Sequence, residues 1–195
     1  RAHDTFHLTK LTAEDFKDGR PHAIIGLVPG EIISEDAGYI DHIDVEYDIL
    51  KVAVIERHKN THHIGLGYIK GYGLKSGAVA TSISHDSHNI IVVGTNEEEM
   101  AAAANRIVEN HGGITVMENG NVLGEVTLAI AGIMSDDPLV MVNSALESAK
   151  DEAFRLGVSR DIDPFMTLSF MALPVIPTLR ITTRGVFDVN TQRYI

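Results

Sequence analysis

The chain has 195 residues, no cysteine and a net charge of −11, and 44% of its residues are hydrophobic. This length suffices for one substantial domain, and the lack of cysteine excludes disulfides, thiolate metal sites and a cysteine nucleophile. The acidic balance argues against a nucleic-acid or anionic-membrane partner, both of which need clustered Lys and Arg. No apolar run is long enough for a transmembrane helix, and the composition fits a reducing cytoplasm.

The first part of the chain predicts strands separated by polar loops. Residues 22–28 (HAIIGLV) and 48–55 (DILKVAVI) are apolar runs typical of buried strands. Residues 64–73 (IGLGYIKGYG) predict a strand whose glycines allow close approach of another backbone. Residues 1–47 are interpreted as a connecting segment from an upstream region. The start at Arg1, without an initiator Met, is expected of part of a longer protein.

A dense group of polar residues separates two further apolar runs. The stretch 73–94 reads GLKSGAVATSISHDSHNIIVVG, and we call its residues 84–89 (SHDSHN) the polar knot. It packs two imidazoles, a carboxylate, two hydroxyls and an amide between two predicted strands. Loops held by rigid strands are where binding and catalytic groups concentrate. The knot either continues as a strand, which would separate its side chains, or turns, which would let Asp86 orient a histidine.

The second part of the chain predicts two main helices and a hairpin. Residues 95–110 predict a helix with a capping box at Thr95 and Glu98, and Asn119-Gly120 predicts a type I′ turn. Residues 137–156 predict a second helix whose apolar stripe begins at Leu139. The fold prediction is α+β, with a mixed, mainly antiparallel sheet and the two main helices packed on one face.

Several long segments carry a family resemblance. They read DILKVAVIERH (48–58), GLGYIKGYGLKSGA (65–78), HDSHNIIVVG (85–94), IAGIMS (130–135) and LSFMALPVIP (168–177). Over residues 48–195 the chain resembles the C-terminal domain of bacterial and archaeal adenine deaminases of the amidohydrolase superfamily. The resemblance implies a part of an enzyme that hydrolyses adenine to hypoxanthine and ammonia in purine salvage.

In that family the resemblance implies a manganese or iron centre in a (β/α)8 barrel, with a His-x-His pair among the ligands. This chain has no His-x-His sequence and no room for a barrel of about 250 residues. The barrel is therefore expected upstream, as the partner of this domain. No metal is expected in this chain, which alone is expected to be inactive. The resemblance also implies a homo-oligomer.

The candidate site residues come mainly from the knot. His85, Asp86 and His88 are predicted to line the catalytic pocket. Ser87, Asn89 and Tyr72 are candidate substrate contacts: the Asn89 amide matches the N6 and N7 edge of adenine, and a tyrosine could stack on the purine. Glu56 and His58, two apart on one strand face, are weak metal-ligand candidates.

Other interpretations remain open at this point. The knot could be a buried hydrogen-bond network in a purely structural or oligomerisation domain. The chain could also be a stand-alone metal-dependent hydrolase or a purine-binding domain. The glycine-rich segment 65–77 is interpreted as a bulged strand packed under a helix rather than as a phosphate-binding loop.

Overall fold

A computed structural model describes residues 2–195 and shows one eight-stranded sheet with a smaller three-stranded sheet packed against it. Arg1 lies outside the described residues. The strand order in the large sheet is β2-β1-β4-β3-β6-β5-β7-β8. All of its pairings are antiparallel except that of β1 with β4. The strands are β1 (His22–Leu27), β2 (Ser34–Ile40), β3 (Ile49–Ile55), β4 (Ile64–Lys70), β5 (Ala78–Thr81), β6 (Ile90–Gly94), β7 (Gly113–Glu118), β8 (Asn121–Thr127), β9 (Leu179–Thr182), β10 (Gly185–Asp188) and β11 (Arg193–Tyr194).

Two hydrophobic clusters cover the two faces of the large sheet. One face packs against a 3-10 helix and the first α-helix, with Phe16, Met100 and Ile107 wholly buried. The other face packs against the second and third α-helices and the small sheet, with Leu168 and Ile181 in the cluster. The helices are the 3-10 helix (Ala13–Phe16), α1 (Glu97–Glu109), α2 (Leu139–Arg155) and α3 (Pro164–Met171).

The α+β class and the mainly antiparallel sheet are confirmed, but the prediction that both main helices pack on one face is wrong. Helix α1 lies on one face and α2 on the other. The reason is visible in β3, where Val52 and Val54 are buried against α2's side and Ala53 and Ile55 against α1's side. A strand that is apolar on both faces needs a covering layer on each.

The segment 1–47, predicted to be a connection, contributes two strands to the large sheet. Strand β1 pairs in parallel with β4, and β2 lies beside it at the sheet edge. The first part of the chain is thus integral to the described fold, and the division of the chain at residue 48 stays a prediction.

Local signals at the element ends were mostly informative. The hairpin between β7 and β8 is confirmed, and Asn119 and Gly120 have the positive φ values, 51° and 74°, that a type I′ turn requires. The N-cap of α1 is Asn96 rather than Thr95, because the Asn96 side chain accepts a hydrogen bond from the Glu99 N–H at 2.8 Å.

In residues 2–195, none of the helices combines the length and the apolar character that crossing a membrane requires.

Candidate functional site

The polar knot lies at one end of the large sheet, between the end of β5 and the start of β6. The strands β3, β6, β5 and β7 run antiparallel to their neighbours. Three other segments therefore lie at the same end of the sheet as the knot. These are the β3–β4 loop (56–63), the loop after β8 (128–134) and the N-terminal residues 2–7, whose Ala2 carbonyl accepts from the Ala131 N–H. We call this surface the knot end.

The knot forms a closed turn and does not continue as a strand. The His88 N–H donates to the Ser84 carbonyl at 2.7 Å, and the Ser84 hydroxyl donates to the Asn89 carbonyl at 2.9 Å. His88 has a left-handed backbone, with φ of 48°. The turn is also attached to α3, because the His85 N–H donates to the Ser169 carbonyl at 3.2 Å.

A buried cation, Arg57, connects the knot with its neighbours. Its guanidinium donates to the carbonyls of His88, Thr5 and Ala131, the last two at 2.9 Å, and it lies 4.2 Å from the Phe6 ring centre. Burial lowers the pKa of Arg57 to about 10, so the side chain stays charged at neutral pH. Sequence reasoning missed this residue, because it stands in the charged run Glu56-Arg57-His58-Lys59 and its partners are distant in the sequence.

The two knot histidines lie close together in different surroundings. Their ring centres are 6.5 Å apart, and the His85 ring stacks on Phe170 at 5.1 Å. The Nδ1 atom of His88 is buried and has no hydrogen-bond partner among residues 2–195. Desolvation, with the positive charges of His85 and Arg57, lowers the pKa of His88. A lowered pKa keeps His88 neutral at pH 7, with one ring nitrogen that has no partner among residues 2–195.

Asp86 does not orient a histidine in this geometry. Its carboxylate is 3.9 Å from His85 Nδ1, beyond hydrogen-bonding distance, and its side chain is 90% exposed. With Ser87 and Asn89 it lines an open concavity of about 350 Å³, closed on the far side by Pro174, Thr182 and neighbouring residues. Asp86 and Ser87 therefore point away from the domain, on the surface of the knot end.

Of the three predicted substrate contacts, Ser87 and Asn89 both line the concavity, whereas Tyr72 does not. Ser87 lies on the concavity, but Asn89 is mostly buried and its side-chain oxygen accepts from the Arg57 N–H at 3.3 Å. That oxygen is already engaged, which leaves Asn89 less able to pair with a purine edge. Tyr72 is wholly buried in the core beside α3, where its hydroxyl donates to the Pro164 carbonyl at 2.9 Å, and burial raises its pKa. It has no surface on the knot end.

Glu56 and His58 have structural partners. The Glu56 carboxylate accepts from the backbone N–H groups of His58, Lys59 and Thr61 and from the Thr61 hydroxyl. Burial acts to raise the pKa of Glu56, but these hydrogen bonds outweigh it and lower the pKa. His58 Nε2 bonds the Ser87 carbonyl at 2.8 Å.

The donor set of this chain does not fit the manganese or iron centre that the family resemblance implies. Across residues 2–195, no three His, Asp or Glu side chains converge in a way that could hold a metal ion. Glu56 and His58 act instead as the polar groups that shape the β3–β4 loop and attach it to the knot.

Exposed apolar side chains surround the polar centre of the knot end. Helix α2 ends at the opposite end of the sheet, where the Lys75 N–H donates to the Leu156 carbonyl, so its first turn lies toward the knot end. This turn carries Leu139 at 84% exposure, with Val140 and Met141 also exposed. Val175, next to the concavity, is 69% exposed. The prediction that Leu139 faces the core is wrong, since the first turn of α2 lies outside the core and its packing begins at Val142. Apolar surface rimmed by polar groups is typical of an interface.

Comparison with known proteins places the sequence of this chain in a family. The profile described as "Adenine deaminase C-terminal domain" matches residues 31–193. An adenine deaminase of Bacillus subtilis is 52% identical over 78% of this chain and 26% of that protein. Those of Bacillus velezensis and Brucella melitensis are 43% and 44% identical, over 98% and 95% of this chain and 35% and 34% of their own lengths. The chain therefore spans about a quarter to a third of these relatives.

Proposed function

The chain belongs to the family of adenine deaminase C-terminal domains, and we propose that the protein carrying it hydrolyses adenine to hypoxanthine and ammonia in purine salvage, in the cytoplasm. The support is the name shared by relatives that are 43–52% identical to it. The metal, manganese or iron, would be held by a barrel in the rest of the polypeptide, since residues 2–195 offer no group of side chains that could hold it.

Within that enzyme, we propose that the knot end forms one wall of the substrate pocket. The observation that carries this proposal is His88, a neutral histidine with a buried, unpartnered ring nitrogen beside a buried cation. Buried polar atoms in folded proteins nearly always have a partner, and an unpartnered one in a turn that borders an open concavity supports a site that another group completes. Because its pKa is lowered, His88 is unprotonated at neutral pH and can take a proton from the attacking water and pass it to the amino group, which leaves as ammonia.

His85, Asp86 and Ser87 have supporting positions in this proposal. His85 is held by Phe170 and α3, and it lies beside His88. Asp86 and Ser87 project outward, where a carboxylate and a hydroxyl can contact a purine or the barrel. Asn89 and Tyr72 act from inside the fold, and we assign them no contact with substrate.

A second candidate function is structural: the knot end serves only to join this domain to the barrel or to a second subunit of a homo-oligomer. The exposed Leu139, Val140 and Val175 favour it, because apolar surface of this extent is usually covered. The two candidates share one surface and differ in whether its polar centre takes part in the reaction.

The test has two parts. The 195-residue chain assayed with adenine and added Mn²⁺ should show no turnover, because the part of it that the structure describes has no metal-binding cluster. Clear turnover would contradict the placement of the metal elsewhere. In the full-length enzyme, His88→Ala should lower kcat with normal assembly. Normal kinetics with weakened assembly would instead support the structural function.

A further inference from the structure

A second cavity lies beneath the knot, between α2, α3 and the tips of β5 and β7. Its volume is about 180 Å³, and its walls are almost entirely apolar. Ile114 and Phe165 are buried there, and the outer side chain Met166 is 47% exposed, so the cavity communicates with solvent. We call it the α2–α3 slot. Its walls include Thr81, Ile83, Ile114, Leu146, Phe165 and Met166.

One polar atom in the wall of the slot has no partner. Ser169 is 1% exposed and lines the slot, and its hydroxyl makes no hydrogen bond within residues 2–195. The other hydroxyl of the wall, that of Thr81, already accepts from the Ile83 N–H at 3.0 Å. Leaving a buried hydroxyl unpaired is costly, and a bound group with one hydrogen-bonding atom would remove that cost.

Two charged side chains, Lys150 and Asp163, also line the slot, and they neutralise each other. Lys150 Nζ lies 3.0 Å from the Asp163 carboxylate, whose other oxygen caps α3 through the Phe165 N–H, also at 3.0 Å. Neither charge is left to attract an ion of opposite sign. The slot therefore suits a neutral occupant that is apolar except at one edge.

We propose that the α2–α3 slot binds a small neutral aromatic ring that carries one hydrogen-bonding atom, which pairs with the Ser169 hydroxyl. The size fits, because an apolar protein cavity of about 150 Å³ holds a benzene molecule. The site is separate from the concavity of the knot and does not depend on the proposed function. Helix α3 connects the slot with the knot, since the Ser169 carbonyl accepts a hydrogen bond from the His85 N–H.

Isothermal titration calorimetry with indole and with toluene tests this proposal. Indole offers one ring N–H to the Ser169 oxygen, whereas toluene has the apolar ring alone. The protein should bind indole, and Ser169→Ala should weaken indole binding by about tenfold while leaving toluene binding nearly unchanged. Absence of indole binding at millimolar concentration would overturn the proposal.

Two further variants locate the binding. Ile83→Trp should fill the slot and abolish binding of both rings; if this variant does not fold, Leu146→Phe serves the same purpose with a smaller added volume. Thr115→Val is the matched control, because Thr115 is another wholly buried hydroxyl without a partner, but it lies outside the slot. Indole binding that persists in the filled variant, or that falls in Thr115→Val as in Ser169→Ala, would place the ligand elsewhere and contradict the proposal.

Discussion

Arg57 determines the shape of the knot end at the scale of single residues. A guanidinium can donate in several directions at once, and here it reaches carbonyls from three separate segments, at Thr5, His88 and Ala131. Neighbouring residues in the sequence could not reveal this role, because its partners are 31 to 74 positions away. The knot itself could be predicted, since a polar run between two apolar runs is a local pattern.

Replacing Arg57 with lysine should destabilise the fold. An ammonium keeps the charge but cannot span the three carbonyls, so two of them would lose their donors. We expect a loss of about 2–4 kcal/mol in the free energy of unfolding, measured by urea denaturation. Arg155→Lys is the matched control: its partner Glu152 is on the same helix turn at the surface, and we expect a change below about 0.5 kcal/mol. Equal effects for the two variants would contradict the assigned role.

His88 should make stability depend on pH. Its pKa is lowered in the folded state by desolvation and by the charges of His85 and Arg57, so the unfolded chain binds more protons below the ordinary histidine pKa of about 6.5. Folding is therefore not penalised above that pH, and stability falls as the pH drops through 6.5 toward the folded pKa. Urea denaturation at pH 7.5 and 5.5 should show a smaller loss for His88→Asn than for the unmodified protein. An identical loss would show that His88 titrates normally.

At the scale of elements, the glycines of β4 explain how the small sheet packs. A Cβ on Gly65 would collide with the backbone of Thr182, and one on Gly67 would lie 2.7 Å from Val186 Cγ2. The sequence indicated that another backbone approaches this strand, which is confirmed, but the expected cover was a helix. The partner is the β9–β10 pair, which could not be identified from segments more than a hundred residues apart.

This packing predicts a specific rescue. Gly67→Ala should destabilise the protein by about 1–3 kcal/mol because of overpacking. Val186→Ala removes the colliding methyl group, so the double variant should be more stable than the sum of the two single effects allows, by at least about 0.5 kcal/mol. The control is the double variant of Gly65→Ala with Val186→Ala. A Cβ added at Gly65 would collide with backbone atoms, so Val186→Ala should not relieve that collision. Additive effects at Gly67 and Val186 would show that the two elements do not pack in this way.

The helices illustrate what a one-dimensional pattern leaves open. The period of the apolar residues in α1 and α2 predicted that each is amphipathic, and both pack on the sheet. It did not predict on which face, because β3 and β6 present apolar residues to both sides. The pattern also did not predict that the N-terminal turn of α2 is exposed. An apolar residue at that position is compatible with a helix–sheet contact and with a contact to another molecule.

At the scale of the whole molecule, the knot end combines an apolar rim with a polar centre, and we expect it to be covered in the full-length enzyme. Leu139→Glu should weaken this contact, seen as a changed oligomeric state or looser domain packing in sedimentation velocity. The stability of the domain itself should change by less than about 0.5 kcal/mol, because Leu139 is 84% exposed.

Tyr47→Glu is the control for that variant. Tyr47 is also largely exposed, at 67%, but it precedes β3 and so lies at the opposite end of the sheet. It should leave the assembly unchanged. Equal sedimentation of the Leu139→Glu and unmodified proteins would argue that the apolar rim is open to solvent in the enzyme.

The most direct test of the central claim is steady-state adenine deamination by the full-length enzyme with His88→Asn, compared with His62→Asn. His62 is an exposed loop histidine near the knot end, bonded only weakly to Thr9 at 3.5 Å. If His88 takes part in proton transfer, its replacement should lower kcat by about 10²-fold or more with unchanged metal content and assembly, while His62→Asn stays near the unmodified rate. Unchanged kcat in His88→Asn would contradict the claim that the polar knot forms part of the catalytic pocket.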